Sequence, residues 1–114
     1  NNIQWEASEQ MVYSKKYNYV GTFDAIAIIN GKRYLIDFKT SKGLYRLEHG
    51  MQTAAYLKAH QEEHGTHFDW RIILHFNKET GEFGYHELQE LDEDFECFLA
   101  AQKLAERKKK TEKY

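Results

Sequence analysis

The chain has 114 residues, of which 41% are apolar and 30% charged, with a formal net charge of −2. That length suits one domain with a modest core and is too short for two of ordinary size, and the composition excludes a disordered chain. The near balance of charge excludes binding of a polyanion through overall charge, so any such contact needs a local basic patch.

The elements follow in chain order. Ile3–Ser14 mixes aromatic and β-branched residues with polar ones and reads as a strand. A polar turn, Lys15 to Asn18, leads into "YVGTFDAIAII", a second strand from Tyr19 to Ile29. Asn30-Gly31 is a strong short hairpin signal, and "KRYLIDFKTS" reads as the return strand. Leu47 onward is helix-like and stops at Gly65, although Gly50 weakens its first turn. "FDWRIILHFN", Phe68 to Asn77, is an apolar strand, and "FGYHEL" is its hairpin partner across "KETGE". A closing helix, "DEDFECFLAAQKLAERKKK", has acidic residues in its first turn and basic ones in its last, as the helix dipole favours.

The order β-β-β-α-β-β-α predicts an α+β fold with a central mixed sheet and one helix crossing between parallel strands. A single domain over residues 1–114 is expected. The chain lacks an initiating Met and begins in strand-like sequence, so an N-terminally truncated piece is expected. The single cysteine, Cys97, excludes an internal disulfide framework, and no apolar run reaches membrane-spanning length. An intracellular, reducing compartment and no membrane partner are expected.

The stretch "YLIDFKTSK" places Asp37 and Lys39 two residues apart on a strand, hence on one face. Tyr34, Ile36 and Phe38 take the other face, which is expected to be core. With a two-residue turn at Asn30-Gly31, Asp24 falls directly opposite Asp37. Facing carboxylates are about 4.5–5.5 Å apart at Cβ and repel. A bound cation, a raised pKa or compensation by Lys39 would relieve the repulsion. A cation is the sharpest reading. Two carboxylates and a backbone carbonyl, such as that of Phe38, form an oxygen-only set suited to Mg²⁺ or Mn²⁺, and an activated water would then attack a phosphodiester. Lys39 would orient that water or stabilise the developing charge.

"GTFD" (Gly21 to Asp24), "DFK" (Asp37 to Lys39) and "QTAAY" (Gln52 to Tyr56) occur in that order. This series of G-x-x-D, D-x-K and Q-x-x-x-Y resembles the PD-(D/E)XK nuclease superfamily, and within it the RecB-like exonuclease group. The resemblance implies a restriction-endonuclease-like core with helices flanking the sheet. It also implies a metal-dependent exonuclease acting on DNA, on single strands or duplex ends, in repair or recombination. Asp24 and Asp37 would be metal ligands, Lys39 the catalytic lysine, and Gln52 and Tyr56 the supporting or nucleic-acid-contacting pair on one helix face. The family usually adds an acidic residue or histidine from an upstream helix. This chain offers Glu6 and Glu9 on a strand instead, and Glu9 is a further candidate donor.

Thr40, Ser41, Lys42 and Arg46 are candidates for phosphate contact, and Tyr45 for stacking on a base. The basic tail from Arg107 could steer DNA. His60, His64 and His67 lack a completing ligand for zinc and read as a solvated helix end. His75 and His86 read as ordinary strand residues, and Cys97 as core. The alternative to catalysis is a nucleic-acid-binding module that keeps the nuclease fold.

Overall fold

In a computed structural model that describes residues 3–112, seven elements follow the expected order: β1 (Ile3–Ser14), β2 (Tyr19–Ile29), β3 (Lys32–Lys39), α1 (Arg46–His64), β4 (Trp70–Phe76), β5 (Phe83–Leu88) and α2 (Leu91–Thr111). The strands form one sheet in the order β1-β2-β3-β4-β5. Only the β3–β4 pair is parallel, because α1 carries the chain back over the sheet between them.

The hairpin turn has the expected chemistry. Asn30 and Gly31 both adopt positive φ, 51° and 78°, as a type I′ turn requires. The resulting β2–β3 register runs from Ile29↔Lys32 to Ala25↔Ile36, and one step further sets Asp24 against Asp37. Gly65 ends α1 in the left-handed conformation, with its N–H donating to the Gln61 carbonyl at 2.7 Å.

α1 lies on one face of the sheet. Ala54, Ala55 and Ala59, each at most 2% exposed, let the helix approach closely, and Leu57 packs into Val12, Phe23, Ile26 and Leu35. Each large side chain buried there contributes about 1.5–3 kcal/mol. α2 joins at the end of that layer, with Phe98 edge-on to Tyr19 and Phe95 edge-on to Tyr17. The cluster on the opposite face, Ala25, Ala27, Ile36 and Ile72 with Ile29, Tyr34 and Leu74 around it, is built by strands alone.

Four expectations change. β3 ends at Lys39 rather than Ser41, because the Ser41 hydroxyl turns to the Gly43 carbonyl. Phe38 is 48% exposed, so the face it shares with Ile36 is core only in its middle. Cys97 is exposed, since α2 buries only Asp94 and Phe95. His60 is 7% exposed and packs edge-on against Phe23 and Phe68, so it belongs to the core and not to a solvated helix end. Burial lowers its pKa, followed by the neighbouring His64 ring, so it is held neutral. No helix among the described residues is long and apolar enough to cross a membrane.

The β1–β2 register shifts between Trp5 and Ala7, and side-chain alternation also breaks beside Glu9 with the pairing register kept. Phe23 and Ile26 both face α1, although three residues apart on a strand, and so do Ala7 and Val12 on the neighbouring strand. Between them, Ser8 pairs with Ala25 and Gln10 with Phe23, leaving Glu9 and Asp24 unpaired in the ladder. Glu9 takes up the change with φ of 43°, a left-handed conformation uncommon for a glutamate. Irregularities of this kind re-aim side chains beside functional sites.

Candidate active site

Asp24 stands one residue past the last pair of the β2–β3 ladder. Its Oδ2 accepts the Phe38 N–H at 2.7 Å, so the carboxylate substitutes for a main-chain acceptor and is fixed in place. Asp37, one residue earlier on β3, is 4% exposed. Burial pushes its pKa up to about 6, and the facing Asp24 carboxyl pushes the same way, while Lys39 pulls it down. Its Oδ2 is buried and has the Lys39 ammonium at 2.8 Å as an ion-pair partner, without an aligned hydrogen bond. The carboxyl is thus crowded by a like group and only partly compensated.

Lys39 is held from two sides. Beyond Asp37, its Nζ donates to Gln52 Oε1 at 2.6 Å, which ties β3 to α1. Its side chain keeps 22% exposure, so the ammonium remains reachable. Tyr56 stands one helical turn after Gln52, and its hydroxyl is pushed up to about 12, first by burial and then by the carboxylates of Asp37 and Asp24. Five residues separated along the chain therefore converge: Asp24, Asp37, Lys39, Gln52 and Tyr56.

Gly21 has a physical reason within this cluster. The Tyr56 ring lies directly on it, and a Cβ there would overlap the ring. Gly21→Ala is expected to cost about 1–3 kcal/mol as the ring is displaced. Urea denaturation in a Tyr56→Ala background checks this, because the cost should then vanish. An equal loss in both backgrounds would contradict the contact.

The other predicted residues disperse. Arg46 points away from the cluster: its guanidinium forms an ion pair with Asp94 at 3.1 Å and donates to the Gln89 carbonyl at 2.9 Å. Lys42 is largely exposed and pairs with Glu79 at 3.2 Å. The Ser41 carbonyl meets His75 Nε2 at 2.8 Å, so His75, 8% exposed, supports the loop after β3 rather than standing as an ordinary strand residue. Thr40 and Tyr45 are exposed on that loop. Glu9 is exposed, and Glu6 pairs with Arg33 at 2.8 Å. Arg107–Lys110 are exposed at the end of α2, while Lys113 lies outside the described residues.

A second polar centre went unpredicted. Arg71, the second residue of β4, is 2% exposed. Its guanidinium donates to the Gly50 carbonyl at 2.9 Å, the Gln89 carbonyl at 2.9 Å and Asp94 Oδ2 at 2.8 Å. Gly50 leaves room beside it, since a Cβ there would displace the Arg46 guanidinium and crowd Asp94. The signal was an arginine inside the apolar run of β4, because arginine is almost never fully buried unpaired.

Among the described residues no three His, Cys, Asp or Glu side chains gather into a metal-binding group. Asp24 and Asp37 are two hard oxygen donors, and Mg²⁺ is commonly held by one or two carboxylates together with waters and substrate phosphate. With one buried carboxylate oxygen lacking an aligned donor, the pair fits such an ion.

No family model matches the chain, and no curated protein matches it. Solved structures do share its fold. One is a candidate exonuclease from Eubacterium rectale, at 12% identity and a TM-score of 0.64, covering 89% of this chain and 44% of that one. Another is the protein SSO0001, at 23% identity and a TM-score of 0.51, covering 90% of this chain and 50% of that one. The chain spans about half the length of these structures.

Proposed function

We propose that the chain carries the core of a divalent-metal-dependent nuclease of the PD-(D/E)XK type, hydrolysing phosphodiester bonds in DNA with Mg²⁺ or Mn²⁺ as cofactor. One observation carries this reading: a buried Asp37 carboxyl crowded by Asp24, with a reachable lysine beside it. A purely structural hairpin gains nothing from facing carboxylates, whereas a cation-binding one needs them. The fold shared with a candidate exonuclease supports the same class.

Asp24 and Asp37 would hold the ion, with the Phe38 carbonyl as a further oxygen donor. When bound, the cation supplies Lewis acidity at the phosphodiester. The rest is done by the chain's own groups. Lys39 has three N–H bonds; Gln52 accepts one and Asp37 stands beside the ammonium as an ion-pair partner, which leaves N–H capacity for the substrate or the attacking water. Its charge stabilises the negative charge that gathers on the phosphoryl oxygens. Gln52 fixes the ammonium in that orientation. Tyr56, with its hydroxyl at about 12, stays protonated at neutral pH and serves as a hydrogen-bond donor, not as a base.

End-labelled single-stranded and duplex DNA, incubated with Mg²⁺, Mn²⁺ or EDTA, tests the reading. Cleavage should require metal, and Lys39→Ala should slow it about 100- to 10,000-fold. Cleavage at the unmodified rate in Lys39→Ala would refute the assignment. Binding of DNA without any metal-dependent cleavage would favour the non-catalytic module.

A further inference from the structure

A groove of about 310 Å³ opens beside the catalytic cluster and shares two of its residues, Gln52 and Tyr56. Its remaining walls are Tyr19, Met51, Ala55 and Phe98, with Val20 and Glu48 completing the lining. Resting on the nuclease reading above, we propose that this groove binds one unpaired nucleobase, that of a nucleotide adjoining the scissile phosphate.

The chemistry of the lining selects the base and not the phosphate. No Lys or Arg lines the groove, and Glu48 contributes a carboxylate, so a phosphate would be repelled there. The ammonium of the cluster, that of Lys39, donates to Gln52 and is not part of the groove lining. A nucleotide can then divide between the two, with its phosphate at Asp24, Asp37 and Lys39 and its base against Tyr19, Met51 and Phe98. Glu48 and Gln52 supply polar groups of the kind that meet base edges, where carboxylates accept from exocyclic amines and amides pair in both senses.

Size and rigidity agree. The volume lies at the lower end of the range for small-ligand sites, about 300–1,000 Å³. The aromatic wall is pre-set, because the Tyr19 hydroxyl donates to the Ala55 carbonyl at 2.6 Å and the Tyr19 ring meets Phe98 edge-on at 4.8 Å. A fixed wall binds without ordering cost. A base can enter only when unstacked and unpaired, which suits a single strand or a frayed end better than an intact duplex.

Two measurements test the groove. In the first, single-stranded oligonucleotides carry an abasic site at either neighbour of the cleaved bond. Removing the base that occupies the groove should lower kcat/KM roughly 5- to 100-fold in the unmodified protein. Met51→Trp, which fills the groove, should show a similar loss on normal DNA and become insensitive to base removal. In the second, 2-aminopurine at the same position should change fluorescence on binding in EDTA, and Met51→Trp should abolish that change. Metal-dependent cleavage indifferent to both neighbouring bases, or base dependence that persists in Met51→Trp, would overturn the groove alone. No metal-dependent cleavage of any DNA would overturn the nuclease reading and the groove with it.

Discussion

Asp37→Asn is expected to abolish metal-dependent cleavage, by about a thousand-fold or more, while making the metal-free protein more stable at pH 8. The two effects have one cause. In the folded protein the Asp37 carboxyl titrates near 6, above its ordinary 3.8, because burial and Asp24 disfavour its charge. Between about pH 4 and 6 the folded state therefore holds a proton that the unfolded state has released. Stability falls as pH rises through that window, and the loss is complete above it. Asparagine carries no charge to penalise. Relative to the parent, its gain should be small near pH 4 and reach about 1–3 kcal/mol at pH 8, reduced by the lost ion pair with Lys39. Urea melts in EDTA across pH 4–8 check the sign. Adding Mn²⁺ at pH 8 should stabilise the parent protein and leave Asp37→Asn unchanged. A variant less stable than its parent at pH 8 without metal would show that the carboxyl pair is not strained.

Asp94→Ala is the substitution expected to cost the fold most, about 3–5 kcal/mol. Among the described residues it removes the only carboxylate paired with the buried Arg71 guanidinium and leaves that charge with carbonyl and hydroxyl partners. Arg46 loses its partner at the same time. Arg71→Met should cost less, because Asp94 would keep Arg46 and methionine fills the vacated volume without a charge. Equilibrium urea denaturation of both variants and of the double variant separates the terms. If Asp94→Ala costs no more than Arg71→Met, the buried-charge account fails.

These two centres show what a single sequence carries and what it does not. The Asn30-Gly31 turn has one favoured geometry, and a two-residue loop leaves a single register, so the opposition of Asp24 and Asp37 could be read from spacing. Gln52 and Tyr56 could be placed on one helix face for the same local reason. Arg46 could not be placed, because its partner Asp94 lies 48 residues away on the last helix. A basic residue after a catalytic strand looks like a phosphate contact until that helix claims it. His60 and Cys97 exchanged their expected roles because burial depends on where α1 and α2 meet the sheet, which periodicity does not fix. The irregularity at Glu9 was equally hidden, since β1 is mostly exposed and shows no alternation to break.

The hydrogen bonds that assemble the candidate cluster span short stretches of chain: 14 residues from Phe38 to Asp24 and 13 from Lys39 to Gln52. Those that anchor the start of α1, at Gly50 and Arg46, reach 21 residues to Arg71 and 48 to Asp94. Short loops close fast and at low entropic cost, and long ones close slowly. The β2–β3 hairpin and α1 thus form a segment of low contact order, which β4 and α2 join through contacts of longer span. The proposed chemistry therefore resides in the locally connected part of the topology, and the buried Arg71–Asp94 ion pair ties in the more distant part.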